Sequence, residues 1–147
     1  MRSELPMILI RVIVGLVFLF EGLLKFLDPS AFGVARFAAL GLPYPQYLAP
    51  AVGSLEIAGG LALLLSFYAG EAAIALMIIM AVAITTTKLP LLLGHPVGSF
   101  PLPAGAPTGW IAFLHEIRLE FAMFLGSLAI AIDSGLRLRR KREWYNR

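Results

Sequence analysis

Four stretches of this chain are too long and too apolar to be covered by water. They run from about Leu5 to Leu27, Tyr47 to Tyr68, Glu71 to Leu93 and Trp110 to Ile132. Each matches the roughly 20 residues that a helix rising 1.5 Å per residue needs to cross a bilayer core. Hydrocarbon offers no partner to backbone N–H and C=O groups, so each stretch has to satisfy its own as an α-helix. Composition agrees: 59% of the 147 residues are hydrophobic and 14% charged, where a soluble domain carries about a quarter charged. The expected fold class is all-α: one integral membrane domain over residues 1–147, built as an up-down antiparallel four-helix bundle in the lipid bilayer. Arg2 precedes the first apolar stretch, but that stretch outruns a signal-peptide h-region and ends in no small-residue cleavage site, so it is expected to stay as a helix.

The connections are unequal. Asp28 to Gln46 holds Asp28-Pro29-Ser30 and Gly41-Leu42-Pro43, with Ser30 to Leu40 suited to a short interfacial helix whose apolar side carries Phe32 and Phe37. Ala69-Gly70-Glu71 reads as a tight turn. Gly94 to Gly109, with Pro96, Pro101, Pro103 and Pro107, is too rich in Gly and Pro for regular structure and reads as a lid or a passive connector. Arg2 and Arg11 lie at the start, and Arg137, Arg139, Arg140, Lys141, Arg142 and Arg147 near the end, while the long connections hold only Arg36. An even number of spans and the positive-inside rule put both termini, including a basic tail at 134–147, on the cytoplasmic side of an inner membrane. The tail reads as a topology signal that also suits anionic lipid, ahead of any nucleic-acid role.

Several chemistries find no support. The chain has no cysteine, which removes disulfides, thiolate metal sites and thiol relay from this subunit. A bridged di-metal bundle needs Glu-x-x-His on two helices, and here one intramembrane His directly precedes Glu116. No metal, haem or nucleotide is expected: there is no second intramembrane His, and Gly59-Gly60 sits inside an apolar helix. Thr85-Thr86-Thr87 reads as hydroxyls bonded back to their own helix.

The informative residues are the charges within the spans, each of which costs about 2.5–3.5 kcal/mol near the bilayer centre. Glu21 and Lys25 lie on the first helix, Glu56 on the second, Lys88 on the third, and His115, Glu116, Arg118 and Glu120 on the fourth. With alternating helix directions they fall at one depth, in the outer half. The opposite half carries little but Arg11. Agreement in depth across four helices points to a shared polar site. Glu21 and Lys25 pair at i,i+4, and Glu56 with Lys88 is a further candidate pair. Arg11, Gly15, Phe18, Gly22 and Lys25 share one stripe, where glycines suit close helix contact. On the fourth helix Arg118 and Glu120 point nearly opposite ways. One pair there meets a partner subunit, or Arg118 snorkels to the headgroups.

The first helix reads Arg11-x3-Gly15-x2-Phe18-x2-Glu21-Gly22-x2-Lys25-x3-Pro29, and the second Pro50-x5-Glu56-x2-Gly59-Gly60-Leu61. These patterns resemble the DoxX family of small four-helix membrane proteins, over roughly the first half of the chain. The family's fourth-helix carboxylate falls on Glu116 or Glu120, ahead of a closing Ile132-Asp133-Ser134-Gly135. The resemblance implies a membrane subunit associated with quinol oxidation or with a redox partner protein, with Arg11, Glu21, Lys25, Glu56 and Lys88 as functional positions.

The expected function is therefore a quinone- or small-molecule-binding subunit of a redox complex, with quinone as the implied cofactor. Glu56, Lys88 and Glu116 are the candidate catalytic residues. Arg11, Glu21, Lys25, His115, Arg118 and Glu120 are the candidate ligand-binding residues, with His115 placed to relay a proton. Two other classes stay open. One is a non-enzymatic scaffold that holds a soluble partner through its basic tail. The other is a transporter acting as a homo-oligomer, since four spans are few for one.

Overall fold

The computed structural model describes residues 4–145, and of residues 138–145 the backbone alone. The side chains of Arg139, Arg140, Lys141, Arg142 and Arg147, expected to form the basic tail, lie outside what is described. Helix α1 spans Leu5–Leu27, α2 Val34–Ala39, α3 Pro45–Leu64, α4 Ala69–Thr87, α5 Leu89–Leu93 and α6 Trp110–Tyr145. Four helical segments are long and apolar enough to cross a membrane: Leu5–Leu27, Pro45–Leu64, Ala69–Leu93 and Trp110–Arg137. Among the described residues there is no strand, only an isolated bridge between Val97 and Phe100.

Local chemistry sets the ends. Pro6 opens α1, where a missing N–H costs nothing. Pro29 disfavours helical geometry at the residue before it, and Asp28 accordingly leaves the helix at φ −133°. Its carboxylate then accepts hydrogen bonds from the Ser30 hydroxyl and from Ala31 N–H at 3.0 Å, which turns the chain toward α2. Phe37 is buried, as expected of the apolar side, whereas Phe32 is 37% exposed.

Three boundaries differ from expectation. The tight turn falls at Leu65–Tyr68, not at Ala69-Gly70-Glu71. Ser66 and Tyr68 take left-handed backbone, φ 56° and 47°, at a cost of about 1–2 kcal/mol for a residue with a Cβ. Gly70 is instead inside α4, where its bare Cα lies against Ser134. The third span is not continuous. Pro90 has no N–H to give the carbonyl four residues back, and the helix breaks at Lys88 before resuming as α5. Finally, α6 runs on past Ile132 to Tyr145, because Leu, Arg, Lys and Glu all favour helix once the chain leaves hydrocarbon.

The helices pack as two close pairs, α1 with α3 and α4 with α6, joined more lightly to each other. Glycine makes the first seam. A Cβ at Gly22 would lie 2.6 Å from the carbonyl oxygen of Gly53, and one at Gly60 would lie 2.7 Å from that of Gly15. Gly15 thus faces Gly60 and Gly22 faces Gly53, so the two helices pass in opposite directions with their backbones in contact. Such close approach is how helices associate where the solvent is itself apolar. The core between the pairs includes Val14, Phe18, Leu63, Leu76, Met80, Met123 and Ile130.

A candidate ligand site between the helix pairs

Six of the in-span charges, Glu21, Lys25, Glu56, Lys88, Glu116 and Glu120, gather at one end of the bundle. Lys25 comes from the last turn of α1 and Glu56 from the middle of α3, and Gly22 and Gly53 hold those two helices close enough for the side chains to meet. Lys25 Nζ lies 2.6 Å from Glu56 Oε2, with side chains 9% and 3% exposed. The same ammonium donates to the Glu21 carbonyl oxygen at 3.2 Å and sits 3.8 Å from the Glu21 carboxylate. Lys88, at the break after α4, reaches α6 instead: Nζ is 3.0 Å from Glu120 Oε1 and 3.6 Å from Glu116 Oε2. The Glu56–Lys88 pair considered from sequence does not form. Spacing along a helix gives depth, and these two residues do share a level, but each takes its counter-ion within its own helix pair.

The result is two triads, each of one ammonium and two carboxylates, one on each helix pair. Between them lies a cavity of about 410 Å³. Glu21, Lys25 and Glu56 line one side and Glu120 the other, and the rest is largely apolar, including Phe18, Val52, Ile79 and Met123. Its cover comes from the first long connection, through Phe32, Arg36, Phe37, Leu40 and Leu42. The Gly94–Gly109 loop supplies no residue to the lining. It lies behind that cover, where Ser99 abuts Gly41, which has φ 71° and no room for a Cβ.

The polar surface has a particular hydrogen-bonding sense. Thr86 and Thr87 line the cavity, but their hydroxyls donate to the carbonyls of Val82 at 2.9 Å and Ala83 at 2.7 Å. Each therefore offers the cavity lone pairs. Thr85 is likewise bonded back to its own helix. Glu56 Oε2 is fully enclosed, with the Lys25 ammonium as its charged partner at 2.6 Å. Counting Glu21, Glu56, Glu116 and Glu120 against Lys25, Lys88 and Arg36, the site carries one more carboxylate than cation. In a low-dielectric setting such an excess is costly unless a proton, a cation or a hydrogen-bond donor offsets it.

The remaining candidates lie elsewhere. His115 is mostly exposed, with Nδ1 3.5 Å from Glu116 Oε1, so it touches the outside of the second triad. Arg118 is exposed, is not in the cavity lining, and joins no ion pair among the described residues. Arg11 is about 21 Å from Lys25 by helical rise. It pairs with Asp133 on α6 at 3.1 Å and donates to Ser66 at 3.3 Å. Asp133 also takes Arg137 Nε at 2.7 Å, and Arg137 pairs with Glu4. Of the expected site residues, Glu21, Lys25, Glu56, Lys88, Glu116 and Glu120 are thus brought together. His115 stands at their edge, and Arg11 and Arg118 are apart. Arg36 and the two threonines are the polar lining residues not singled out from sequence as a site. Arg36 had a visible signal, as the lone charge on an otherwise apolar connection.

Comparison with known proteins bears on the same region. The DoxX family model matches residues 7–89, which covers α1 from its third residue, all of α2 to α4 and the whole first triad. An uncharacterised membrane protein of Mycobacterium tuberculosis is 38% identical over 119 residues, covering 81% of this chain and 69% of the relative. No solved structure matches. More than half of the chain lies within the family match, the relative is a membrane protein, and the helices are long and apolar enough to span; this integral membrane protein belongs to the DoxX family.

Proposed function

We propose that the cavity binds the head group of a quinone, or of a similar small amphiphile, and that the protein serves as a membrane subunit beside a redox partner. The observation that carries this reading is the pairing of two carboxylate-rich triads across a largely apolar cavity, with Glu56 buried against Lys25. A reduced head group carries two phenolic O–H donors on opposite sides of its ring. Acceptors meet it from both walls: Glu56 and Glu21 on one, Glu120, Thr86 and Thr87 on the other. Lys25 and Arg36 supply donors for the carbonyl oxygens of the oxidised form. Each triad has one carboxylate beyond what its ammonium neutralises, so each can take up one proton as the head group loses it. Glu116 and His115 lead from the second triad toward the surface and give that proton a route outward. Electrons pass to the partner.

In this reading the bundle is up-down and antiparallel, both termini face the cytoplasm, and the site lies in the outer half of an inner membrane, following the placement of Lys and Arg. The test is purification in mild detergent, organic extraction and ultraviolet absorbance, comparing wild type with Glu56→Gln. Quinone present in stoichiometric amount and lost in the variant supports the reading. Its absence from both samples overturns it.

A second reading has its own observation. Helix α6 continues beyond Arg137 to Tyr145, and that extension carries Arg139, Arg140, Lys141 and Arg142. A rigid basic stalk suits docking of an acidic soluble partner or of anionic lipid. Truncation after Arg137 then abolishes partner recovery, while Glu56→Gln leaves it unchanged.

A further inference from the structure

We propose that the ligand enters the cavity sideways from the bilayer, between α1 and α6; this rests on the reading of the cavity as a quinone-type site. The α1/α6 seam is closed at one end only. Near the Arg11 end it is tied by the Arg11–Asp133 and Glu4–Arg137 ion pairs, and Val14 fills the hollow over Gly126, where an added Cβ would lie 2.5 Å from Val14 Cγ2. Toward the Lys25 end the ties change partners. Lys25 binds within α1 and to α3, and Lys88 binds α6. Among the described residues no ion pair or side-chain hydrogen bond joins α1 to α6 there.

Along this untied stretch the seam is part of the cavity wall. Val17 and Glu21 line it from α1, and Leu119, Glu120 and Met123 from α6. Leu119 is also 54% exposed and the Glu21 side chain 42% exposed, so these lips are reached from outside the bundle and from inside it. The polarity along both lips runs the same way. Val17 precedes Glu21 and Lys25 on α1, and on α6 Met123 lies deeper than Glu116 and Glu120, with Leu119 beside Glu120 at the lip. A head group at the triads therefore leaves its tail among Val17, Leu119 and Met123, directed out through the seam toward the middle of the bilayer. The α3/α4 side also carries exposed lining residues, Ile78 and Val82, but those two helices are packed more closely than α1 and α6. The approach from the headgroup region is covered by Phe32, Arg36, Phe37, Leu40 and Leu42. An amphiphile drawn from lipid meets matching apolar surface along the loosely packed α1/α6 route.

The absence of native cysteine makes the test direct. The double variant Val17→Cys/Leu119→Cys, in detergent, is joined by a flexible, reducible bis-maleimide. Binding is measured for two probes, decylubiquinone and the same dimethoxy-methyl-benzoquinone without a tail, each as the hydroquinone. Stapling is expected to weaken the tailed probe by about tenfold or more, to leave the tail-less probe within about twofold, and to be reversed by reduction. A staple at Leu55→Cys/Ala75→Cys, on the exposed face of α3 and α4 and outside the cavity lining, is expected to change neither. If the α1/α6 staple leaves both probes bound as before, or if only the Leu55/Ala75 staple excludes the tailed one, the route is wrong while the site stands. If neither probe binds the unstapled protein, the quinone reading and this route fail together. Recovery on reduction separates a blocked path from a misfolded variant.

Discussion

The two ends of this bundle hold charge in different ways. At the Arg11 end, Glu4 and Asp133 meet Arg11 and Arg137, two carboxylates against two guanidiniums, with Asp133 shared between both arginines. The group is balanced, it bridges α1 and α6, and it borders no part of the cavity. At the Lys25 end the same kinds of residue form two triads with carboxylates in excess, each confined to one helix pair, with space between them. The first arrangement is what a helix-pairing lock looks like. The second leaves a charge imbalance facing a cavity, and that is difficult to explain by packing alone. Intramembrane charge is thus not one signal. Its balance, and whether it joins or merely faces neighbouring helices, separates structure from chemistry.

The comparison breaks or sharpens under four substitutions. Asp133→Asn carries the largest expected effect on stability. It leaves Arg11 without a counter-ion, while Arg137 keeps Glu4, and costs about 3 kcal/mol, the lower part of the range for breaking a buried pair, since Asp133 keeps some exposure. Thermal unfolding in detergent reads this, and bound ligand per folded protein is expected to stay constant. Loss of ligand at unchanged stability would erase the distinction between the ends.

Glu56→Gln should do the reverse. Lys25 retains Glu21, so stability falls by no more than about 1 kcal/mol, while affinity for hydroquinone drops by about tenfold or more. A large loss of stability with normal binding would make the triad a lock after all. Arg36→Ala is milder. The side chain is exposed on α2, so unfolding should not change, and affinity for an oxidised benzoquinone should fall by about threefold, roughly 0.65 kcal/mol.

The smallest effect tests the turn that leads into the cavity cover. The Ser30 hydroxyl, with help from Ala31 N–H, holds the Asp28 carboxyl below its ordinary pKa. A carboxyl lowered in the folded state stabilises the turn above the unfolded value of about 3.9 and loses that contribution as pH falls through the lower folded value. Protection of the Ala31 amide against hydrogen exchange should therefore exceed that of Asp28→Ala at neutral pH and match it at low pH.

Much of this was legible in the residues. The Leu5–Leu27 helix has the expected bounds, because Pro6 and Pro29 bracket an unbroken apolar run. The common depth of Glu21, Lys25, Glu56, Lys88, Glu116 and Glu120 also followed from counting along helices. What counting could not supply was partner choice. Glu56 and Lys88 share a level, but the glycine contacts bring α3 to α1, and so Glu56 to Lys25. The break at Lys88 had its signal in Pro90, hidden within a hydropathy pattern that runs through to Leu93. The role of Arg11 depended on Asp133, more than a hundred residues away in sequence and beyond the reach of periodicity. Of the two readings open for Gly94–Gly109, lid or passive connector, the connector fits the structure, and the first long connection supplies the lining. Gly and Pro mark where regular structure ends, whereas the apolar side chains of Phe32 and Phe37 decide which connection folds inward.

The glycine seam sets a length that inheritance cannot easily alter. Gly15 and Gly22 are seven residues apart, and so are Gly53 and Gly60; the two intervals match like notches on facing rulers. Inserting or deleting one residue between either pair turns everything beyond it by about 100°. One glycine then leaves the contact, and a side chain arrives where two backbones touch. A compensating change would have to occur in the other helix at the same time. The Gly94–Gly109 loop carries no such gauge, and added residues there cost only the slow growth of loop entropy. Descendants of this chain are therefore free to lengthen that loop, while the interval of seven persists in both helices.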